Sequence, residues 1–281
     1  MIGEPSSTIF LLNTKSVDGL ILIDTGIGFD FKKELAKIGL NPKNVKHCLI
    51  THGHYDHIDG CKELIKLNPK MRFYAHNKDS EMIESYINKD YDLNFKITDI
   101  FTDKINSLKL GPYSIKGYHI PGHTPGGLAF LISINKHNVL FSGDICGGAI
   151  ESVGGNYKKF KKSLQELSSL KADILCDGHM NVIRPSEEVS KYIEGCMKLN
   201  EFFHVGFDMD PKNPINWYNL ALVSYQMKIY DTAYDACNYV LKLDAENNKA
   251  KALLNKIQKQ DPHKYEPILE KYLKEIYGED F

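Results

Sequence analysis

The sequence predicts an α/β protein: two β-sheets packed face to face and covered outside by helices, followed by a small all-helical region. Three observations predict it. Short β-rich runs alternate with helical patterns through the first two-thirds of the chain, the middle carries consecutive strands parted only by turn residues, and everything beyond the stretch "GFDMDPKNP", Gly206 to Pro214, reads helical.

In chain order, "TIFLLNT" and "GLILIDTG" read as strands, because β-branched and aliphatic residues end in Gly, Asn or Asp. A helix follows over Phe31 to Ile38, then the strand "HCLITH" and a helix from Ile58. The strand "RFYAH" and a helix from Lys78 to Asn88 come next. "SLKLG", "YSIKGYHI", "LAFLISI" and "NVLFSGD" are successive strands turned by "LGP" and "NKHN". A helix over Tyr157 to Leu170, the strand "ADILCDGH" and a helix from Ser186 to Val205 complete the first part. Two prolines, a glycine and two aspartates in Gly206–Pro214 are linker chemistry and divide the chain into residues 1–207 and 208–281.

Composition excludes several classes. With 35 basic and 36 acidic residues the net charge is -1, so no field draws in nucleic acid or an anionic membrane surface. No apolar run approaches the roughly 18 residues of a membrane helix, and "MIGEPSSTIF" has no basic n-region ahead of an apolar one. The six cysteines, Cys48, Cys61, Cys146, Cys176, Cys196 and Cys237, form no C-x-x-C pair and are expected as buried free thiols in a reducing cytosol. A cytoplasmic protein is expected.

The chemistry concentrates in "THGHYDHIDG", Thr51 to Gly60, between a strand and a helix. Alternate residues of an extended loop point the same way, so His52 and His54 can converge on one ion while Asp56 and His57 reach a second. Imidazole and carboxylate ligands suit zinc, and also manganese or iron. Two ions need further ligands, and strand ends supply them: His123 in the rigid turn "PGHTPGG", Asp144 closing "LFSGD", and His179 closing "LCDGH".

These motifs, spanning Ser7 to His179, resemble the metallo-β-lactamase superfamily, an αββα sandwich whose metal site lies where strand ends meet. The resemblance implies that His52, His54 and His123 bind one metal, that Asp56, His57 and His179 bind the other, and that Asp144 bridges both. Asp24 in "LIDTG" would support the ligand loop by hydrogen bonding. The family ordinarily places one more strand ahead of "PSST", yet only four residues precede Pro5. The first sheet is therefore expected to lack an edge strand, through a truncated reading frame or an edge covered by a partner.

The implied activity is hydrolysis by a metal-bridging hydroxide, with Asp56 also orienting the nucleophile and carrying a proton to the leaving group. β-Lactamases of this fold usually lack an aspartate placed like Asp144, and glyoxalase II, nearest in ligands, carries "GCGR" where this chain has "GDICGG". Thioesters, lactones or other esters of a small molecule remain the expected substrates. His54 stands where oxygen-reducing di-iron members have glutamate. The alternatives are a persulfide dioxygenase-like enzyme with one iron, a phosphodiesterase, and a non-catalytic scaffold.

The helical part resembles a tetratricopeptide repeat over Trp217 to Asn247, with Ala221 where that family often has glycine. Trp217, Leu220 and Ala221 open its first helix, Tyr230 and Ala233 lie where it meets the second, and "KAKALLNKIQKQ" and "KYEPILEKYLKEIYG" would cap it. One repeat leans on the main domain, on another copy or on a protein partner. Of the remaining histidines, His76, His119, His137 and His204 read as structural; Tyr55 lies close enough to shape the pocket, and Cys146 reads as an inert buried thiol.

Overall fold

The computed structural model describes residues 6–89, 94–151, 154–179, 182–262 and 273–274. Its first sheet has the order β1-β2-β3-β4-β5, formed by β1 (Phe10–Asn13), β2 (Leu20–Ile23), β3 (Val45–Leu49), β4 (Arg72–His76) and β5 (Asp99–Phe101). β1 is antiparallel to β2, and the rest are parallel. The second sheet contains β6 (Asn106–Leu110), β7 (Tyr113–His119), β8 (Leu128–Ile134), β9 (His137–Gly143), β10 (Ile174–Asp177) and β11 (Val182–Ile183), in the order β11-β10-β9-β8-β7-β6.

β2 is buried along its whole length because each face has its own cover. Leu20 and Leu22 pack with Phe31 and Leu35 of α1 (Phe31–Lys37), Leu64 of α3 (Cys61–Leu67) and Ile83 of α4 (Asn77–Lys89). Ile21 and Ile23 meet Phe130, Ile132 and Phe141 of the second sheet. Side-chain alternation thus turns one continuous apolar run into two packing faces. The second sheet repeats the arrangement: Ala129, Leu140 and Leu175 face Phe160 and Leu164 of α5 (Tyr157–Ser168) and Ile193 of α6 (Ser186–Phe203). The αββα sandwich expected from the sequence is present. The hairpin from β8 to β9 turns on Asn135 and Lys136, both at positive φ (49° and 70°), the requirement of a tight two-residue loop.

Several local expectations change. The helix expected from Ile58 begins at Tyr55 and is broken into α2 (Tyr55–Ile58) and α3. β5 and β11, short strands at sheet ends, had not been expected. Cys146 and Cys196 form a disulfide, contrary to the reading of six free thiols. The two are 50 positions apart in sequence, and only the packing of α6 on the loop after β9 brings them together. Cys48, Cys61, Cys176 and Cys237 are buried and free.

The first half of the expected linker is helical. A π-helical segment, His204–Met209, continues α6, and Gly206 lies so close to the Trp217 ring that a β-carbon there would stand 3.3 Å from it. Beyond it run α7 (Pro214–Gln226), α8 (Tyr230–Leu243) and α9 (Asn248–Gln260). Asn213 caps α7 ahead of Pro214 at its first turn. Trp217 is fully buried, its indole N–H donating to the Pro211 carbonyl at 2.7 Å. Ala221, Ala233 and Ala236 let the helices approach closely, and Leu199 and Phe207 belong to the same core. Most of "KYEPILEKYLKEIYG" lies outside the described residues. Among the described residues no helix is long and apolar enough to cross a membrane.

Candidate metal centre

The strand directions build the site. β2 and β3 are parallel, and β7, β9 and β10 share one direction because β8 is antiparallel to both β7 and β9. Their C-terminal ends therefore carry Asp24, the His52–His57 loop, His123, Asp144 and His179 to one rim of the sandwich. The Leu128 N–H donates to the Thr51 carbonyl at 2.7 Å and ties the two sheets there.

All seven residues meet. The nearest ligand atoms of His52, His54 and His123 lie within 4.8 Å of one another, as do those of Asp56, His57 and His179. Asp144 lies between the two sets: Oδ1 is 3.2 Å from His57 Nε2, and Oδ2 is 3.2, 3.7 and 3.9 Å from Nε2 of His179, His123 and His52. Asp56 Oδ2 stands 3.5 Å from both His57 Nε2 and His179 Nε2.

Hydrogen bonds behind the rings fix which nitrogen faces inward. His57 Nδ1–H donates to Asp24 Oδ2 at 2.8 Å, and His123 Nδ1–H donates to the Gly148 carbonyl at 2.6 Å, so each ring turns its Nε2 into the cluster. The Thr51 hydroxyl donates to Asp24 Oδ2 at 2.7 Å and is left to accept from His52 Nδ1 at 3.1 Å. Asp24 holds this relay from a left-handed backbone conformation, φ 57°.

The donor set fits divalent cations. His57 Nε2, His123 Nε2 and Asp144 Oδ1 are buried without a hydrogen-bond partner; each such atom costs about 1–3 kcal/mol unless something satisfies it. Burial, and then the neighbouring His57, holds His52 well below the ordinary histidine range; burial and His123 bring His54 down to about 3. Burial thus favours the neutral form of both rings, the form in which imidazole ligates a metal. His57 runs the other way: burial would lower it, but the carboxylates of Asp144 and Asp24 outweigh that and hold it well above its usual value. For Asp144 burial acts upward and is outweighed by His57 and His179, which keep the carboxyl well below the usual carboxylate range.

Three residues of the site were not expected from the sequence: Thr51, Gly178 and Gly148. A β-carbon on Gly178 would stand 2.0 Å from Asp144 Oδ1 and 3.0 Å from His57 Cε1, so only glycine leaves the carboxylate its place. Such contacts join residues far apart in sequence and leave no local pattern. His76 and His119 stack face to face at 3.9 Å beside Asp103, whose carboxylate takes Lys78 Nζ at 2.8 Å. His204 stacks on Tyr157 and donates to Asp208 at 2.9 Å, and His137 is exposed at the β8–β9 hairpin. Tyr55 is 41% exposed beside the ligand loop. Cys146 is bonded to Cys196, which replaces the expected inert thiol.

Residues 2–179 match the family model of the metallo-beta-lactamase superfamily. The chain belongs to this superfamily. As such it is a metallohydrolase, with relatives of the same kind. A probable metallo-hydrolase of Bacillus subtilis, YybB, is 27% identical over 187 residues, 63% of this chain and 83% of that one. A hydroxyacylglutathione hydrolase of Tolumonas auensis is 29% identical over 169 residues, 55% of this chain and 54% of that enzyme. Among solved structures, a B3 metallo-β-lactamase described by its active-site glutamic acid aligns with a TM-score of 0.55 at 20% identity, covering 69% of this chain and 82% of that one. The class B3 di-zinc enzyme LRA-12 from an Alaskan soil metagenome aligns at 0.54 and 18%, covering 70% and 90%. At those identities the likeness is one of fold.

Proposed function

We propose that His52, His54, Asp56, His57, His123, Asp144 and His179 hold two divalent metal ions, zinc first with iron or manganese as alternatives, and that the protein hydrolyses a small thioester, lactone or other ester. The observation that carries the reading is Asp144, a partly buried carboxylate set between two ligand triads, its Oδ1 buried without a hydrogen-bond partner. Bound there, the ions would supply a hydroxide nucleophile at neutral pH and a Lewis acid for the developing oxyanion. The chain's own groups do the rest. Asp56, half-buried at the rim, orients the nucleophile and passes a proton to the leaving group. Asp24 and Thr51 hold the tautomers of His57 and His52, and Gly148 holds that of His123.

Relatives named hydroxyacylglutathione hydrolases support the thioester class. Glutathione itself is left out, because the chain spans 54% and 58% of the length of two of them and has "GDICGG" after β9. The neutral chain supports a small-molecule substrate over a nucleic acid. We also propose that residues 208–281 form a tetratricopeptide-like unit that mediates self-association or docks a protein. The paired helices α7 and α8, around Trp217, Leu220 and Ala233, support this. Four buried free thiols support a cytoplasmic location; the Cys146–Cys196 bond counts against it.

The test is metal analysis of purified protein followed by assays of zinc-, manganese- and iron-loaded samples on thioesters, lactones and phosphodiesters. Two metal equivalents and ester turnover are expected. One equivalent that metal supplementation never raises, with persulfide oxidation by the iron form, would replace this reading by the dioxygenase.

A further inference from the structure

Asp79, in the first turn of α4, is 1% exposed and belongs to no ligand triad. Its carboxylate accepts three hydrogen bonds from two loops. The Gly53 N–H donates to Oδ2 at 3.0 Å, the Thr124 hydroxyl donates to the same oxygen at 2.7 Å, and the Gly126 N–H donates to Oδ1 at 2.6 Å. Gly53 sits between His52 and His54, and Thr124 follows His123. One buried carboxylate therefore joins the two chain segments that carry the His52–His54–His123 triad.

The join is tight on every side. A β-carbon on Gly126 would stand 2.6 Å from the Asp79 carboxylate, and one on Gly53 would stand 2.4 Å from Met82 Cε. Chemistry selects aspartate over asparagine here. An ionised carboxylate is acceptor-only and satisfies donors on both oxygens, whereas an amide must turn its NH2 toward one of the donor groups. Helix α4 holds the side chain rigidly, because Ile83 and Ile87 anchor it in the core outside the first sheet.

We infer that Asp79 is a positioning residue for the His52–His54–His123 subsite, setting the separation of its two ligand loops and so the affinity and geometry of the ion held there. This rests on the dinuclear reading proposed above. A purely structural role would make Asp79 a buried helix-terminal acid whose loss lowers stability and nothing else.

Cobalt titration of the full-length chain separates these. Wild type, Asp79→Asn and the surface control Glu81→Gln would be loaded with Co2+ against a chelator, with visible absorption and melting temperature recorded. In Asp79→Asn one of two equivalents should bind about 10- to 100-fold more weakly, the scale of a lost outer hydrogen bond to a metal site, with an altered cobalt spectrum for that equivalent. The other equivalent and Glu81→Gln should match wild type. Should Asp79→Asn fail to fold, Thr124→Val, which removes one donor, should show the same selective weakening, and Thr124→Ser should restore it. Unchanged affinity and spectrum in the variants that fold, with only a lowered melting temperature, overturns the inference while leaving the metal centre standing. A wild-type chain that takes up no cobalt overturns the metal centre, and this inference with it.

Discussion

Asp24 Oδ2 lies 2.8 Å from His57 Nδ1, and that single contact decides which way the imidazole faces: its other nitrogen points at Asp144 Oδ1, 3.2 Å away. The aspartate does this from φ 57° while also accepting from the Thr51 N–H and hydroxyl. Asparagine tolerates that backbone, so Asp24→Asn isolates the charge and the second acceptor. Metal retention in chelator competition should weaken about 10- to 100-fold. Retention equal to wild type would mean that His57 keeps its tautomer without help.

Asp144→Asn should strip metal and abolish ester hydrolysis, because asparagine brings no charge and presents an N–H2 toward one of the imidazole nitrogens. His137→Ala, at an exposed hairpin position, should alter stability by less than about 0.5 kcal/mol and leave metal content unchanged. Equal losses in the two variants would show that the position of Asp144 between the triads has no bearing on binding.

Gly178→Ala adds one methyl, 2.0 Å from Asp144 Oδ1. The carboxylate must swing away from His57, so metal analysis should show the loss of at least one equivalent. A variant that binds both and turns over normally would mean that β10 shifts to make room.

The metal-free chain should be most stable near neutral pH. His54 and His76 are held at about 3 and about 4 when folded, against 6.5 unfolded, His76 through burial and the adjacent His119. Below 6.5 the unfolded chain binds more protons, and stability falls with pH. His57 and His179 have raised values, so their contribution is complete below 6.5 and lost as pH climbs through those values. Urea midpoints at acidic, neutral and alkaline pH test both limbs, and His76→Gln should flatten the acid one. Midpoints that keep rising below pH 6 would reverse the sign argued for His54.

The sandwich was legible because its strands are buried on two faces and so read as unbroken apolar runs, "LILI" above all. The cluster of candidate site residues was legible because their residue types are rare and fall at strand ends, where the structure brings them together. What escaped notice joins distant positions. β5, Asp99–Phe101, is too short for a periodic signal. Asp79 in "NKDSEM" looks like any helix-start acid, since its partners Gly53, Thr124 and Gly126 lie on other loops. The Cys146–Cys196 pair was hidden by its separation. Glycine and two aspartates in "GFDMDP" suggested a break, yet Phe207 and Trp217 supply enough burial to keep the segment helical.

The loop that follows Asp144 is fastened to the end of α6 three times over: Cys146 is bonded to Cys196, the Asn200 amide donates to the Ile145 carbonyl at 2.9 Å, and the Glu151 N–H donates to Asp208 at 3.1 Å. That loop also supplies the Gly148 carbonyl behind His123. For protein engineering, these bonds limit where the chain can be joined to another. A crossover placed ahead of Ser186 would discard all three of these bonds to the loop that follows Asp144 and backs His123, whereas one placed after Asp210 keeps them. The sandwich, α6 and its π-helical end travel together, and because Leu199 and Phe207 share a core with Trp217 and Leu220, any helices substituted after Asp210 must offer an equally apolar face.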